Sequence, residues 1–304
     1  MPEASASRDA SGSRDRDASG SRESPGRRAR RDQRARGGRP ATPTPASVES
    51  ASAPTGLGGA PRHPTSPGDE AAILDLLATG TLDVKGRLVD ASNATMYCTI
   101  TAGGTETACV YKPVAGERPL WDFPDGTLAG RELSAYVVSK AGGFDVVPPT
   151  VYRDGPFGPG MCQLWIDADD TVDLVELARS NDPRLRQMAV FDAVVNNADR
   201  KIGHLLPVAD GGLYGCDHGV CFGSEYKLRT VLWQWRGKRL TSEALAKLAG
   251  LRDLLSGGSL TAELGSWLTR QEVAATARRV EMLLAHQVHP LPPADWPAVP
   301  WPPI

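Results

Sequence analysis

One lysine stands alone in an apolar stretch, Val110-Tyr111-Lys112-Pro113. Burying an unpaired ammonium is expensive, so Lys112 must either carry its head group out to water or meet an anion. Glu132, in the helical pattern Leu128 to Ala141, is placed to be that anion, because Leu128, Leu133, Tyr136 and Val137 turn the same segment toward the body. A helix carboxylate that holds a strand lysine over the phosphates of a nucleotide is a recurring device of phosphoryl transfer. Two unrelated surface charges would read the same way, so the pair gains its weight from the loops downstream of it. An apolar helix runs straight into a polar loop, Phe191-Asp-Ala-Val-Val-Asn-Asn-Ala-Asp199-Arg200-Lys201-Ile-Gly-His204. A short hairpin then ends in Cys216-Asp217-His218-Gly219. Transfer of a phosphoryl group to a hydroxyl needs an acid to accept the hydroxyl proton and oxygen ligands for Mg²⁺, and Asp199 and Asp217 fit those two stations.

Positioning these residues takes a sheet and a set of helices, and the sequence marks both. A short helix opens at Gly68-Asp69-Glu70, and strands are predicted over 82–90, 96–102 and 107–114, with Gly103-Gly104 as a hairpin turn. The helix 128–141 ends at Gly142-Gly143, and two further strands span 147–153 and 160–167. Helices are predicted over 171–180 and 183–197 and again between 241 and 287, the last opened by a Thr269-Arg-Gln-Glu272 capping box. The fold class is therefore α+β and bilobal, with a small β-rich N-lobe (69–167) and a mainly helical C-lobe (168–289). Residues 290–304 hold seven prolines and two tryptophans and are read as a strap held by Trp296 and Trp301. Residues 1–68 carry 12 Arg against 7 acidic residues, and apart from Ala their apolar side chains are Met1, Val48 and Leu57. Such a segment cannot bury enough surface to offset its ordering entropy and is expected to be a disordered tail.

Taken together, VYKP, WDFPDGTLAGRE, NNADRK and CDHG resemble the phosphatidylinositol 3-/4-kinase-like branch of the protein-kinase-like fold, which includes type II phosphatidylinositol 4-kinases and HipA-type serine kinases. The resemblance covers about residues 82–240 and extends to an actinobacterial group described as phosphatidylinositol-kinase-like. It implies ATP with Mg²⁺ and the protein-kinase-like form of the bilobal fold, while Mn²⁺ enters as an alternative only through His204, where this chain departs from the pattern. It further implies Lys112 on the phosphates, Glu132 holding Lys112, Asp199 as catalytic acid/base with Arg200 beside it, and Asp217 as the principal metal ligand. The adenine would lie on the backbone of 162–167, through Gln163, Leu164 and Trp165. Where relatives carry a metal-binding Asn this chain has His204, a poorer ligand for a hard cation. In the loop over the phosphates, Ser92, Asn93 and Thr95 replace a glycine-rich form as hydrogen-bond donors.

Composition narrows the remaining classes. The whole chain has 34 basic and 36 acidic side chains, and removing the tail leaves 22 and 29, so the body is acidic and no specific nucleic-acid binder is expected. There is no apolar signal-peptide stretch and no run long enough to span a membrane, which predicts a cytoplasmic protein with reduced cysteines. Asp167-Ala-Asp169-Asp170 reads as a helix cap, and His286 and His289 as cations at a helix C-terminus. The segment Tyr226 to Arg239, with five basic residues and two tryptophans, suits an anionic acceptor at a membrane surface or a packed helix equally well. The acceptor hydroxyl stays open between a lipid headgroup, a protein serine and a small molecule. A HipA-type protein kinase and a nucleotide-binding pseudokinase are the rival readings.

Overall fold

The computed structural model describes residue 64, residues 66–88 and residues 93–304. The expected disordered tail thus falls almost wholly outside the described residues, as does Ser92. The ordered body nevertheless starts before residue 69. Helix α1 (Pro67–Thr79) is capped by Ser66, whose hydroxyl accepts the Asp69 amide, with proline at the first helical position.

Five antiparallel strands come next: β1 (Thr81–Arg87), β2 (Met96–Ala102), β3 (Thr105–Pro113), β4 (Thr150–Gly155) and β5 (Gly158–Leu164), in the sheet order β1-β2-β3-β5-β4. Gly103 and Gly104 both have positive φ, 57° and 82°, as a tight hairpin turn between β2 and β3 requires. Along β3 alternate residues are buried, which sends Cys109 and Tyr111 into a core with Leu76 and Leu77 of α1 and puts Lys112 on the opposite face. Gly160 lets β5 approach β3, since a Cβ there would lie 2.4 Å from the Lys112 carbonyl oxygen. Strand β4 begins three residues later than the sequence predicts because Pro148 and Pro149 have no N–H for a ladder. Cys98, Cys109 and Cys162 meet in this core as buried free thiols.

Helix α2 (Leu128–Ala141) spans the predicted residues, and the Glu117 carboxylate accepts its first amides, from Leu128 and Ala129. Its orientation is fixed from the helical side. Arg131 is buried, pairs with Glu272 at 2.6 Å, donates to the Cys221 carbonyl and lies 4.7 Å over the Phe123 ring. Helices α3 (Leu174–Arg179) and α4 (Pro183–Val195) come next, then the hairpin β6 (Leu205–Pro207) and β7 (Leu213–Gly215). The chain ends in α5 (Ser242–Ser256), α6 (Ser259–Leu264) and α7 (Arg270–His286). Helix α4 is buried through its second half and packs in one apolar core with α5 and α7. Thr269 and Glu272 form the predicted capping box of α7. Asp173 caps α3, while Asp169 instead closes a turn onto Thr171. His289 is not a helix-end cation: it is buried, accepts a hydrogen bond from Arg186 and has its pKa lowered to about 4 by burial.

The C-terminal strap lies on the body, but of its two tryptophans only Trp296 takes part. Ala298 accepts hydrogen bonds from the Thr230 amide and the Trp233 indole, Pro303 accepts from the Ile202 amide, and the Trp296 ring lies 6.0 Å from that of Trp121, tilted by 47°. Trp301 is 86% exposed. Trp296→Ala is therefore expected to cost about 1–3 kcal/mol, less than a fully buried tryptophan. Trp301→Ala should change stability by no more than about 0.5 kcal/mol. Thermal melts of the two variants check the contrast.

Candidate active site

Lys112 lies at the centre of the site. Its ammonium is 2.6 Å from Glu132 Oε1 and 2.9 Å from Asp217 Oδ1. Burial works to lower its pKa, but the Asp217 and Glu132 carboxylates outweigh that and raise it, so Lys112 stays charged. The same charge holds the Asp217 carboxyl well below the usual carboxylate range. Glu132 uses its second oxygen to accept the His218 amide at 2.8 Å, which ties α2 to the Asp217 loop. The Asp217 side chain is half exposed, and its backbone is left-handed at φ 62°, a conformation that Asp and Asn tolerate better than other non-glycine residues.

Asp199 sits on the neighbouring loop. Helix α4 stops at Asn196, which is left-handed at φ 52°. The Asn197 side-chain oxygen accepts the Asp199 amide, and Lys201 lies 3.2 Å from the Asp199 carboxylate. Burial pushes the Asp199 carboxyl up, against the pull of Lys201. Register in the β6–β7 hairpin pairs Leu205 with Gly215, and the Cys216 amide donates to the His204 carbonyl. The hairpin thereby brings the two loops side by side.

Several expectations change. Arg200 cannot meet a substrate, because its side chain is fully buried. It forks onto Asp192 of α4 at 2.9–3.3 Å and also donates to the Cys216 carbonyl and to His218 Nε2. It is a positioning residue that locks the Asp199 loop to the Asp217 loop. Gly215 makes room for it, since a Cβ there would lie 2.9 Å from the guanidinium. Gln163 and Leu164 are likewise sealed in the sheet. Gln163 pairs with β3 and β4 on its two sides and its amide bonds Thr150, and the Leu164 amide donates to Pro149. Trp165 is partly exposed with its ring edge-on to Tyr97, but its amide is taken by Ala108. The chain beyond residue 165 is the first part of this connection to leave the ladder. Thr95 is buried, and the Asn93 side-chain oxygen accepts the Arg118 amide, so that oxygen serves to pin the loop.

His204 does face Asp217, 3.5 Å from Oδ2. Its Nδ1 accepts the Lys201 amide, which assigns the proton to Nε2 and turns an N–H, not a lone pair, toward Asp217. In this arrangement its N–H is turned toward the Asp217 carboxylate. Burial lowers its pKa to about 4, so the imidazole is neutral over the range in which an unperturbed histidine titrates. Among the described residues no group of three or more His, Cys, Asp and Glu side chains is set to hold a metal. Asp217 and Asp199 are the oxygen donors available.

The segment Tyr226 to Arg239 is not a packed helix beyond one short 3₁₀ turn, Trp233–Trp235, and several of its basic and aromatic side chains are engaged within the fold. Trp235 is buried, Trp233 is bonded to the strap, and Lys227 is held between the Trp121 and Trp296 rings at 4.6 and 4.8 Å and pairs with Asp122. No helix among the described residues is long and apolar enough to cross a membrane. Sequence reasoning missed Asp192 and counted Arg229 only among the basic residues of the segment 226–239. A lone acid in the apolar run Phe191-Asp192-Ala-Val-Val carries the same signal that singled out Lys112.

No family model matches the chain. Among solved structures it is similar to a Golgi casein kinase crystallised with Mn/ADP bound (14% identity, TM-score 0.49, 73% of this chain and 76% of that one). It is similar also to hydra Fam20 with sugar (13%, TM-score 0.49, 73% and 89%). Protein Rv2133c of Mycobacterium tuberculosis (strain ATCC 25618 / H37Rv) is 48% identical over 269 residues, which span 77% of this chain and 95% of that protein. At that identity and coverage, the chain belongs to the same family as protein Rv2133c.

Proposed function

We propose that the protein is an ATP-dependent phosphotransferase acting on a hydroxyl acceptor. One observation carries the reading: a strand lysine, Lys112, is joined to a helix carboxylate, Glu132, and to a loop carboxylate, Asp217, with a second acid, Asp199, on the adjoining loop. Lys112, kept charged, binds the donor phosphates, and Glu132 sets its position. Asp199, its affinity for a proton raised by burial, accepts the proton of the attacking hydroxyl. The new bond forms between the acceptor oxygen and the γ-phosphorus while the bond from that phosphorus to the β–γ bridging oxygen breaks, and ADP leaves. Asp217 would hold the divalent cation, which neutralises charge on the phosphates when bound. A phosphatidylinositol-kinase-like or HipA-like specificity within this class rests on the motif resemblance.

Binding without turnover is the second reading, favoured by His204, which presents an N–H where relatives have a metal-binding amide oxygen. Incubation with γ-labelled ATP and Mg²⁺ or Mn²⁺, alongside equilibrium nucleotide titration, separates the two. Metal-dependent ADP release supports the phosphotransferase. Nucleotide binding with no release supports the second reading, and absence of both removes the proposal.

A further inference from the structure

Arg229 is pinned beside the catalytic loop by its own backbone. Its amide donates to the Asn197 carbonyl at 2.9 Å, and its carbonyl accepts the Arg200 amide at 3.0 Å. Asp199 lies between those two loop residues. The Arg229 charge acts on Asp199, opposing the burial that raises that carboxyl, whereas Asp217 is governed by Lys112 and the neighbouring histidines. On its other side the guanidinium carbon is 6.0 Å from the Trp296 ring.

What sets Arg229 apart is the lack of an ion-pair partner at close range. Lys112 has Glu132, Arg200 has Asp192, Lys201 has Asp199 and Lys227 has Asp122. Among the described residues Arg229 has no carboxylate within ion-pair distance, and its Nε is buried without a hydrogen-bond acceptor. A buried guanidinium nitrogen left unpaired is costly, and the guanidinium fork matches a phosphate or carboxylate. No described carboxylate lies close enough to take it, and Asp199 acts on it only from a longer range.

We propose that Arg229 binds an anionic group of the acceptor, so that the phosphorylated hydroxyl belongs to an alcohol already carrying a phosphate or carboxylate. The inference rests on the phosphotransferase reading above and names its substrate class. The acceptor hydroxyl must lie within hydrogen-bond reach of Asp199, which sets the anion a few bonds from that hydroxyl, with the Trp296 ring as the wall behind Arg229.

The test uses the full chain with labelled ATP and acceptor pairs that differ in the anion: glycerol against glycerol 3-phosphate, and myo-inositol against myo-inositol 1-phosphate. Phosphatidylinositol vesicles form a separate arm that distinguishes a lipid headgroup from a free phosphate. The charged member is expected to have a kcat/KM at least about tenfold higher, as a charge-assisted hydrogen bond allows. Arg229→Gln should erase that preference while the KM for ATP moves less than about twofold, and Arg229→Lys should keep part of it, having charge but no fork. Equal use of charged and neutral acceptors by the wild type overturns the inference. So does a loss in Arg229→Gln that is the same for both members, which marks a structural role, or one that appears in the KM for ATP, which marks a donor site. A binding arm stands apart from turnover: titration with inositol 1-phosphate should change the tryptophan fluorescence of the wild type and not of Arg229→Gln. If no acceptor is phosphorylated yet this signal is present, the phosphotransferase reading fails and the anion site stands. If ATP is turned over in an Asp199-dependent way and the signal is absent, the anion site fails alone.

Discussion

Asp199→Asn is expected to lower turnover by about 10²–10⁴-fold, the range a positioned general base contributes, while nucleotide affinity stays nearly unchanged. The ion pair of Asp199 is with Lys201, whereas Lys112 pairs with Glu132 and Asp217, so the loss of the Asp199 charge leaves the Lys112–Glu132–Asp217 group intact. Its amide, not its carboxylate, is what anchors the loop to Asn197. Asp217→Asn should behave in the opposite sense. The amide keeps the shape but gives up the charge that Lys112 stabilises, so metal-dependent nucleotide binding should weaken and turnover fall with it. Titration of each variant with ATP, with and without Mg²⁺, together with single-turnover transfer, separates the two effects. Wild-type turnover in Asp199→Asn would remove that residue from its role. Unchanged metal dependence in Asp217→Asn would remove the other.

Much of the site was legible because burying charge is costly. A lysine alone in an apolar strand announces an anion nearby, and the structure supplies two. Polar residues crowded after a buried helix announce a functional loop, and α2 could be bounded because Gly142-Gly143 closes it. The illegible part is tertiary pairing. Nothing local tells Arg200 from Lys201, yet one is sealed against Asp192 and the other meets Asp199. Gln163 and Leu164 read as a connection between lobes, but β3 flanks both on one side and β4 with the preceding Pro149 on the other, a fact of strand order that no single strand encodes. The segment 226–239 has no helical or strand period, so its sequence could not reveal that Trp235 points inward while Arg236 is exposed.

Asp192→Ala is expected to be the most destabilising single change at the site without touching any group that would meet a substrate. Asp192 and Arg200 are 1% and 0% exposed, and the carboxylate also accepts the Asn197 amide at 3.0 Å. Deleting it leaves a buried guanidinium with no counter-charge, at a cost of about 3–5 kcal/mol. For a folded body of this size each kcal/mol lowers Tm by about 2–4 °C, which gives a fall of roughly 6–20 °C. The paired change Asp192→Leu with Arg200→Met removes both charges and should recover much of that loss, because two buried ions are often no better than apolar residues of similar volume. It should not recover activity. Arg200 also donates to the Cys216 carbonyl and to His218, and those bonds hold the Asp217 loop against the Asp199 loop. Melting curves and turnover of the single and paired variants therefore separate stability from positioning. A loss below about 1 kcal/mol in Asp192→Ala would mean that water reaches Arg200, and full activity in the paired variant would mean that the two loops keep their spacing without it.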